Sequence, residues 1–124
     1  MKHVPLNLAF FGGLLAVTAL ALGAFGAHAL ENIVSPERLD TFETAVRYQM
    51  YHGLALLAFA ALPFKAPLAN SLILLGTLIF SGSLYALVML NLPVLGAITP
   101  IGGVLQIAGW LVFLSRSWSS TKAR

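Results

Sequence analysis

Hydrophobic positions fill most of this chain, and charged positions gather in a few places between them. From Val4 to Ala27 no residue is charged, and none is charged between Lys65 and Arg116. The stretch from His28 to His52 (HALENIVSPERLDTFETAVRYQMYH) holds all four acidic residues, two of the three histidines and two of the seven basic residues. About 20 consecutive apolar residues suffice to cross the roughly 30 Å of a bilayer's hydrocarbon. The pattern therefore predicts an all-α, polytopic membrane protein of one domain, residues 1–124, with four transmembrane helices in a compact bundle. The expected spans are about 6–30, 45–62, 68–90 and 93–114, with 31–44 as an exterior loop and helix start.

Local signals refine these spans. Lys2, the apolar run and Ala27-His28-Ala29 together resemble a secretory signal with its cleavage site. The run from Leu6 to Ala27 is 22 residues, however, whereas signal-peptide cores have about 7–15. A retained span is the expectation. Ala19, Gly23 and Ala27 recur every four positions and place a small-residue stripe on one face, suited to close packing within the monomer. Ser35 and Pro36 read as N-cap and first position of a second helix that reaches Leu62 before Pro63, with only Tyr48 to Leu62 apolar enough for lipid. In the fourth span, Thr99-Pro100 either starts a helix or kinks one that began near Pro93. The kinked form is favoured, because a helix from Pro100 to Ser115 measures only about 24 Å.

Composition agrees with this class. Hydrophobic residues make up 59% of the 124 positions and charged ones 9%, against about 25% charged in soluble domains. The net charge of +3 is spread without a basic face, so nucleic acid is not an expected partner. The lipid bilayer is, and a second copy or another membrane protein would be the protein partner. Four spans put both termini on one side. That side carries Lys2, Lys65, Arg116, Lys122 and Arg124, and the other carries Arg38 and Arg47. Five against two predicts cytoplasmic termini and an acidic stretch facing the periplasm or exterior; in an organelle the matrix would take the cytoplasm's place. There is no cysteine, which excludes disulfides, thiolate metal sites and a cysteine nucleophile.

Polar residues inside a membrane mark the place to look for chemistry. On the second helix, Asp40, Glu43, Thr44, Arg47, Tyr48, Tyr51 and His52 share one half of the surface, while Leu39, Phe42, Val46, Gln49, Met50 and Gly53 share the other. Glu43/Arg47 and Tyr48/His52 are four apart and able to pair. Arg47 is expected to face other helices or a water-filled notch, because an unpaired arginine in hydrocarbon is unfavourable by several kcal/mol. Ser81, Ser83 and Tyr85 on the third span lie at a comparable depth, and Gln106 on the fourth could join them. The candidate polar site is therefore His28, Glu43, Arg47, Tyr48, Tyr51, His52, Ser81, Ser83, Tyr85 and Gln106. His28 and His52 are 24 residues apart with no metal-ligand spacing, so a metal would need a tertiary coincidence with Glu31 or Glu43. No nucleotide-binding glycine pattern is present, and no cofactor is implied.

Four phrases, GAFGAHAL (Gly23–Leu30), ERLDTFETAVRYQMYHGLALL (Glu37–Leu57), GTLIFSGSLYAL (Gly76–Leu87) and LGAITPIGG (Leu95–Gly103), closely resemble a known family in order and spacing. It is the domain of unknown function 423 family, the YgdD-like small inner-membrane proteins. The resemblance covers nearly the whole chain and implies four spans, but it brings no catalytic residue set. Its motif positions include His28, Glu43, Arg47, Tyr48, Gln49, Tyr51, His52, Ser81, Gly82, Ser83, Tyr85, Thr99, Pro100, Gly102 and Gly103. Three functional readings stand, in this order. The first is a non-enzymatic structural or interaction module with a polar core near the outer leaflet. The second is binding or conduction of a proton, metal ion, lipid headgroup or quinone at a Tyr48/His52/Tyr85 notch. The third is an enzyme acting on a lipid or isoprenoid.

Overall fold

A computed structural model describes residues Asn7 to Lys122. Lys2, Leu6 and Arg124, which figure in the span and charge readings above, lie outside the described residues. Four long helices follow one another: α1 (Leu8–Leu30), α2 (Pro36–Ala60), α3 (Pro67–Leu90) and α4 (Thr99–Lys122). Among the described residues there is no strand. α1, α3 and the segment Pro93–Lys122 are long and apolar enough to cross a membrane by length and composition. α2 is equally long, at 25 residues, but its first half carries the charges.

Each boundary has a local cause. Asn7 opens α1 by accepting the Phe10 amide at 3.0 Å, which satisfies one of the donors every helix start leaves free. Ser35 does the same for α2 through the Arg38 amide at 3.3 Å, and Pro36 takes the first position. α3 starts on Pro67 and ends on Asn91, whose φ of 55° is left-handed; asparagine is among the few residues that tolerate this cap. Near the end of α1, Leu22–Gly26 forms a π turn. A Cβ on Gly23 would lie 3.1 Å from Val46 Cγ1, so this turn runs tight against α2.

The fourth span resolves differently from the favoured kinked helix. Pro93–Ala97 is a 3₁₀ turn, and α4 starts at Thr99 with Pro100 in its first turn. The length objection lapses because α4 continues to Lys122. Its 24 residues give about 36 Å at 1.5 Å each, more than the roughly 30 Å of hydrocarbon. Its last turns emerge with Trp118 65% exposed and Lys122 Nζ 5.8 Å from the Trp118 ring, an anchor of the kind found at bilayer surfaces.

The helices pack as two hairpins, α1 with α2 and α3 with α4, joined through α2 and α3. Each hairpin closes on a pair of glycines. A Cβ on Gly12 would fall 2.8 Å from the Gly53 carbonyl oxygen, and one on Gly53 would fall 2.9 Å from Leu15 Cβ. In the second hairpin, a Cβ on Gly76 would lie 2.8 Å from both the Gly102 oxygen and the Gln106 nitrogen. Backbones this close gain dispersion contacts that lipid cannot replace. The α2–α3 join has no such pair. It rests on Ala45, which is fully buried, and on the hydrogen bonds described below. Outward-facing Leu20, Leu75, Leu78, Val104, Ile107 and Leu111 stay exposed, as contact with lipid requires. At the cationic end, Arg116 donates from Nε and an Nη to the Lys65 carbonyl at 3.3 and 3.1 Å, tying α4 to the α2–α3 loop.

Gly53→Ala and Gly102→Ala should each lower stability in detergent by about 1–3 kcal/mol, the usual range for overpacking. Gly13→Ala and Gly82→Ala, where an added Cβ meets nothing within 4 Å, should be neutral or slightly stabilising. Thermal unfolding followed by circular dichroism checks this, and equal behaviour of all four would refute the glycine crossings.

Candidate functional site

The polar groups of the bundle converge from all four helices onto two residues of α2, Gln49 and His52. Both are buried, at 6% and 7% exposure. They lie one turn apart, so both fall on the face that also buries Phe42, Ala45, Gly53 and Leu56. Gln49 points toward α1 and α3. Its Nε2 donates to the Leu15 carbonyl at 2.9 Å and to Thr18 Oγ1 at 2.6 Å. Thr18 remains free to accept because its own proton goes to the Leu14 carbonyl at 2.8 Å. Gln49 Oε1 accepts the Tyr85 hydroxyl at 2.7 Å. One amide therefore joins three helices. One turn back toward the start of α2, Ser81 donates to the Ala45 carbonyl at 2.8 Å.

His52 points toward α4. The Trp110 indole donates to its Nε2 at 3.1 Å. An indole N–H can only donate, so Nε2 is the acceptor and the ring proton sits on Nδ1. From there it donates to the Tyr48 carbonyl at 2.8 Å. Gln106 lies beside the ring, 3.5 Å from Nδ1, and donates to Thr77 Oγ1 at 3.2 Å. Farther along α3, Ser83 donates to the Phe80 carbonyl at 2.9 Å and meets Thr99 Oγ1 at 2.6 Å, joining α3 to the start of α4. Two aromatic rings flank the histidine, Trp110 with centroids 6.2 Å apart and Tyr48 at 6.4 Å. Phe59 stacks on Phe113 at 4.1 Å and meets Trp110 edge-on at 5.4 Å.

The structure thus turns His52, Ser81, Ser83, Tyr85 and Gln106 of the sequence-derived set into the bundle, and of these five only His52 and Gln106 come within hydrogen-bond distance of each other. Tyr48 contributes its carbonyl, while its ring lies 4.7 Å from Phe80 and is 38% exposed. Tyr51, Glu43 and Arg47 are exposed. Arg47 does not face another helix: it sits two residues past buried Ala45, about 200° around the axis at 100° per residue. It bonds Thr44 at 3.3 Å. Its long stem lets the guanidinium reach the bilayer surface from there. Among the described residues the one close approach of a basic to an acidic side chain is His28 Nδ1 to Glu31 Oε1, at 3.3 Å and well exposed, rather than Arg47 to Glu43. His28 and His52 sit apart, one exposed at the end of α1 and one buried in α2. Among the described residues no three histidine or acidic side chains are grouped to hold a metal ion.

Gln49, Thr18, Thr77, Thr99 and Trp110 belong to the network but not to the sequence-derived set. A usable signal existed for two of them. Thr18 is the sole polar side chain between Leu8 and Ala27, and Gln49 is an amide on the otherwise apolar half of α2. A lone polar residue on an apolar helix face needs a partner from another helix.

Comparison with known proteins identifies the family. The family profile described as "Protein of unknown function (DUF423)" matches residues 22–103. The chain belongs to the DUF423 family. A UPF0382 membrane protein of Staphylococcus saprophyticus is 47% identical over 107 residues, covering 83% of this chain and 89% of the relative. A counterpart in Staphylococcus aureus is 48% identical over 107 residues, with 83% and 88% covered. The UPF0382 membrane protein YwdK of Bacillus subtilis is 41% identical over 109 residues, with 83% and 89% covered. No solved structure matches. This DUF423 protein is an integral membrane protein, as its apolar helices and these relatives indicate.

Chemically, the cluster is occupied with itself. Both nitrogens of His52 are engaged, neither serine bonds to it, and the Tyr85 hydroxyl is committed to Gln49. Gln49→Leu should lower stability in detergent by about 1–3 kcal/mol, since it breaks three hydrogen bonds that are individually modest in membranes. Gln49→Leu and Tyr85→Phe should be non-additive by at least about 0.5 kcal/mol, as for any directly bonded pair. Glu43→Gln and Arg47→Gln should each stay within about 0.5 kcal/mol of the parent, as surface changes do. A double-mutant cycle read by thermal unfolding checks all three.

Proposed function

We propose that this DUF423 protein is a non-catalytic module of the plasma (inner) membrane. In this reading its polar core holds four helices in one arrangement for structural or interaction purposes, with both termini cytoplasmic. The observation that carries it is the mutual pairing of the polar core. Among the described residues, the polar side-chain atoms buried within the bundle are bonded, with the single exception of Asn70 Oδ1 at the far end of α3. A site that binds or conducts a small species at Tyr48, His52 and Tyr85 needs a lone pair or proton free to exchange, and the hydrogen bonds of His52 and Tyr85 take these up. The orientation rests on charge: Lys65, Arg116 and Lys122 lie at one end of the bundle, opposite Arg38 and Arg47.

Two measurements test these statements. Liposomes carrying the protein and an internal pH dye should show no proton flux beyond that of protein-free liposomes, before or after His52→Gln. A flux lost on that substitution would replace the structural reading with a conducting one. Because the chain has no cysteine, single-cysteine variants report sidedness cleanly. Asn32→Cys should react with an impermeant maleimide in intact cells, and Ser119→Cys only after permeabilisation. The reverse pattern would overturn the orientation.

A further inference from the structure

At the end of the molecule where α1 and α3 begin and α2 and α4 end, a cavity of about 480 Å³ opens beneath the α2–α3 loop. Its volume falls within the roughly 300–1,000 Å³ usual for small-molecule sites. Lys65, Asn70 and Ser71 form its polar wall, and Phe59, Phe64 and Phe113 its apolar wall. The rest of the bundle differs from it in one respect: Asn70 Oδ1 is the one buried side-chain oxygen or nitrogen among the described residues with no hydrogen-bond partner. A buried acceptor left unpaired is unfavourable, and it asks for a donor from outside the chain.

Charge narrows what that visitor is. All four acidic side chains lie between Glu31 and Glu43, at the opposite end. The cations at this end, Lys65, Arg116 and Lys122, therefore have no side-chain carboxylate on their own side. Lys65 is also held in place, because its carbonyl receives two hydrogen bonds from Arg116. The first turns of α1 and α3 border the cavity and present their positive ends to it. The loop joins two membrane helices, which sets Lys65 at the depth of lipid headgroups. A ligand that satisfies all of this has a negative charge, a hydrogen-bond donor nearby and an apolar tail.

The geometry points to a binding site for one anionic phospholipid whose headgroup carries a hydroxyl, seated among Lys65, Asn70 and the three phenylalanines. Its phosphate meets the Lys65 ammonium, its acyl chain starts along Phe59 and Phe113, and its hydroxyl donates to Asn70 Oδ1 once that amide, now closed off from solvent, turns toward the cavity. Basic pockets beside membrane helices hold anionic headgroups by the same electrostatics. The site is separate from the polar core and does not depend on the structural reading above.

The test is titration of the delipidated protein in detergent with short-chain phosphatidylglycerol, read by native mass spectrometry and by thermal shift. One saturable site is expected, with phosphatidylcholine, which has neither net charge nor donor, binding at least tenfold more weakly. Asn70→Leu should weaken phosphatidylglycerol at least fivefold while leaving the lipid-free protein as stable as the parent or more so, since an unpaired acceptor is removed. Lys65→Gln, a change in an exposed loop, should weaken it similarly and flatten its salt dependence. Equal binding of the two lipids would overturn the proposal, as would wild-type affinity in both variants. Loss of lipid-free stability in Asn70→Leu would do so too, by assigning Asn70 a structural role. Saturation by inorganic phosphate at the same concentrations would replace the lipid with a free anion.

Discussion

An amide cannot sit in hydrocarbon alone, and the arrangement of this protein follows from how Gln49 is satisfied. Its two N–H donors go to α1 and its oxygen accepts from α3. The alternative, an unpaired buried polar group, is unfavourable by roughly 1–3 kcal/mol for each group. Once that amide is paired, α2 has a unique rotation about its axis. Ala45 then meets α3, where Ser81 can reach its carbonyl, and His52 turns toward α4, where Trp110 and Gln106 lie. The charged residues of α2 are carried to the outside by the same rotation. α2 is too polar to qualify as a span by composition, and the network explains how it nevertheless joins three apolar helices.

The two hairpins and the join between them rely on different physics. Within a hairpin, paired glycines let backbones approach until dispersion alone favours contact. Between hairpins, where no glycine pair exists, directional hydrogen bonds set the register. Dispersion is tolerant of small slides along a helix, and hydrogen bonds are not. The combination gives tight packing in each half and a specified geometry between halves. The opposite end of the bundle departs from this rule. There the aromatic wall and the α2–α3 loop leave a cavity, lined in part by Asn70, whose Oδ1 is the one unpaired buried acceptor among the described residues.

Much of this was legible in the order of residues. Apolar runs marked the three helices long and apolar enough to cross a membrane, and Ser35-Pro36 marked the start of α2 to the residue. The start of α4 was harder, since Thr99-Pro100 suits either a cap or a kink and only the helix's continuation to Lys122 decides between them. Within the candidate set, Ser81, Ser83, Tyr85, His52 and Gln106 share the interior, whereas Glu43, Arg47 and Tyr51 share the surface of the same helix. The division of α2 into a polar and an apolar half put Gln49 on the apolar side, and that is the side that faces the protein.

Sequence by itself determined that this chain is an α-helical membrane protein, where α2 begins, and which end carries positive charge. Those properties depend on local hydrophobicity, capping and charge, which neighbouring residues supply. Tertiary structure alone decided that His52, from the polar half, is buried with the apolar face of α2 and meets Trp110 rather than a tyrosine hydroxyl, and that Arg47 and Tyr51 look outward. Hydrophobic periodicity usually reveals a buried face, but in a bilayer both the lipid and the bundle interior are apolar. The rotation of a helix is then set by which hydrogen-bond partners other helices offer at the same depth, and that information is spread over residues more than thirty positions apart.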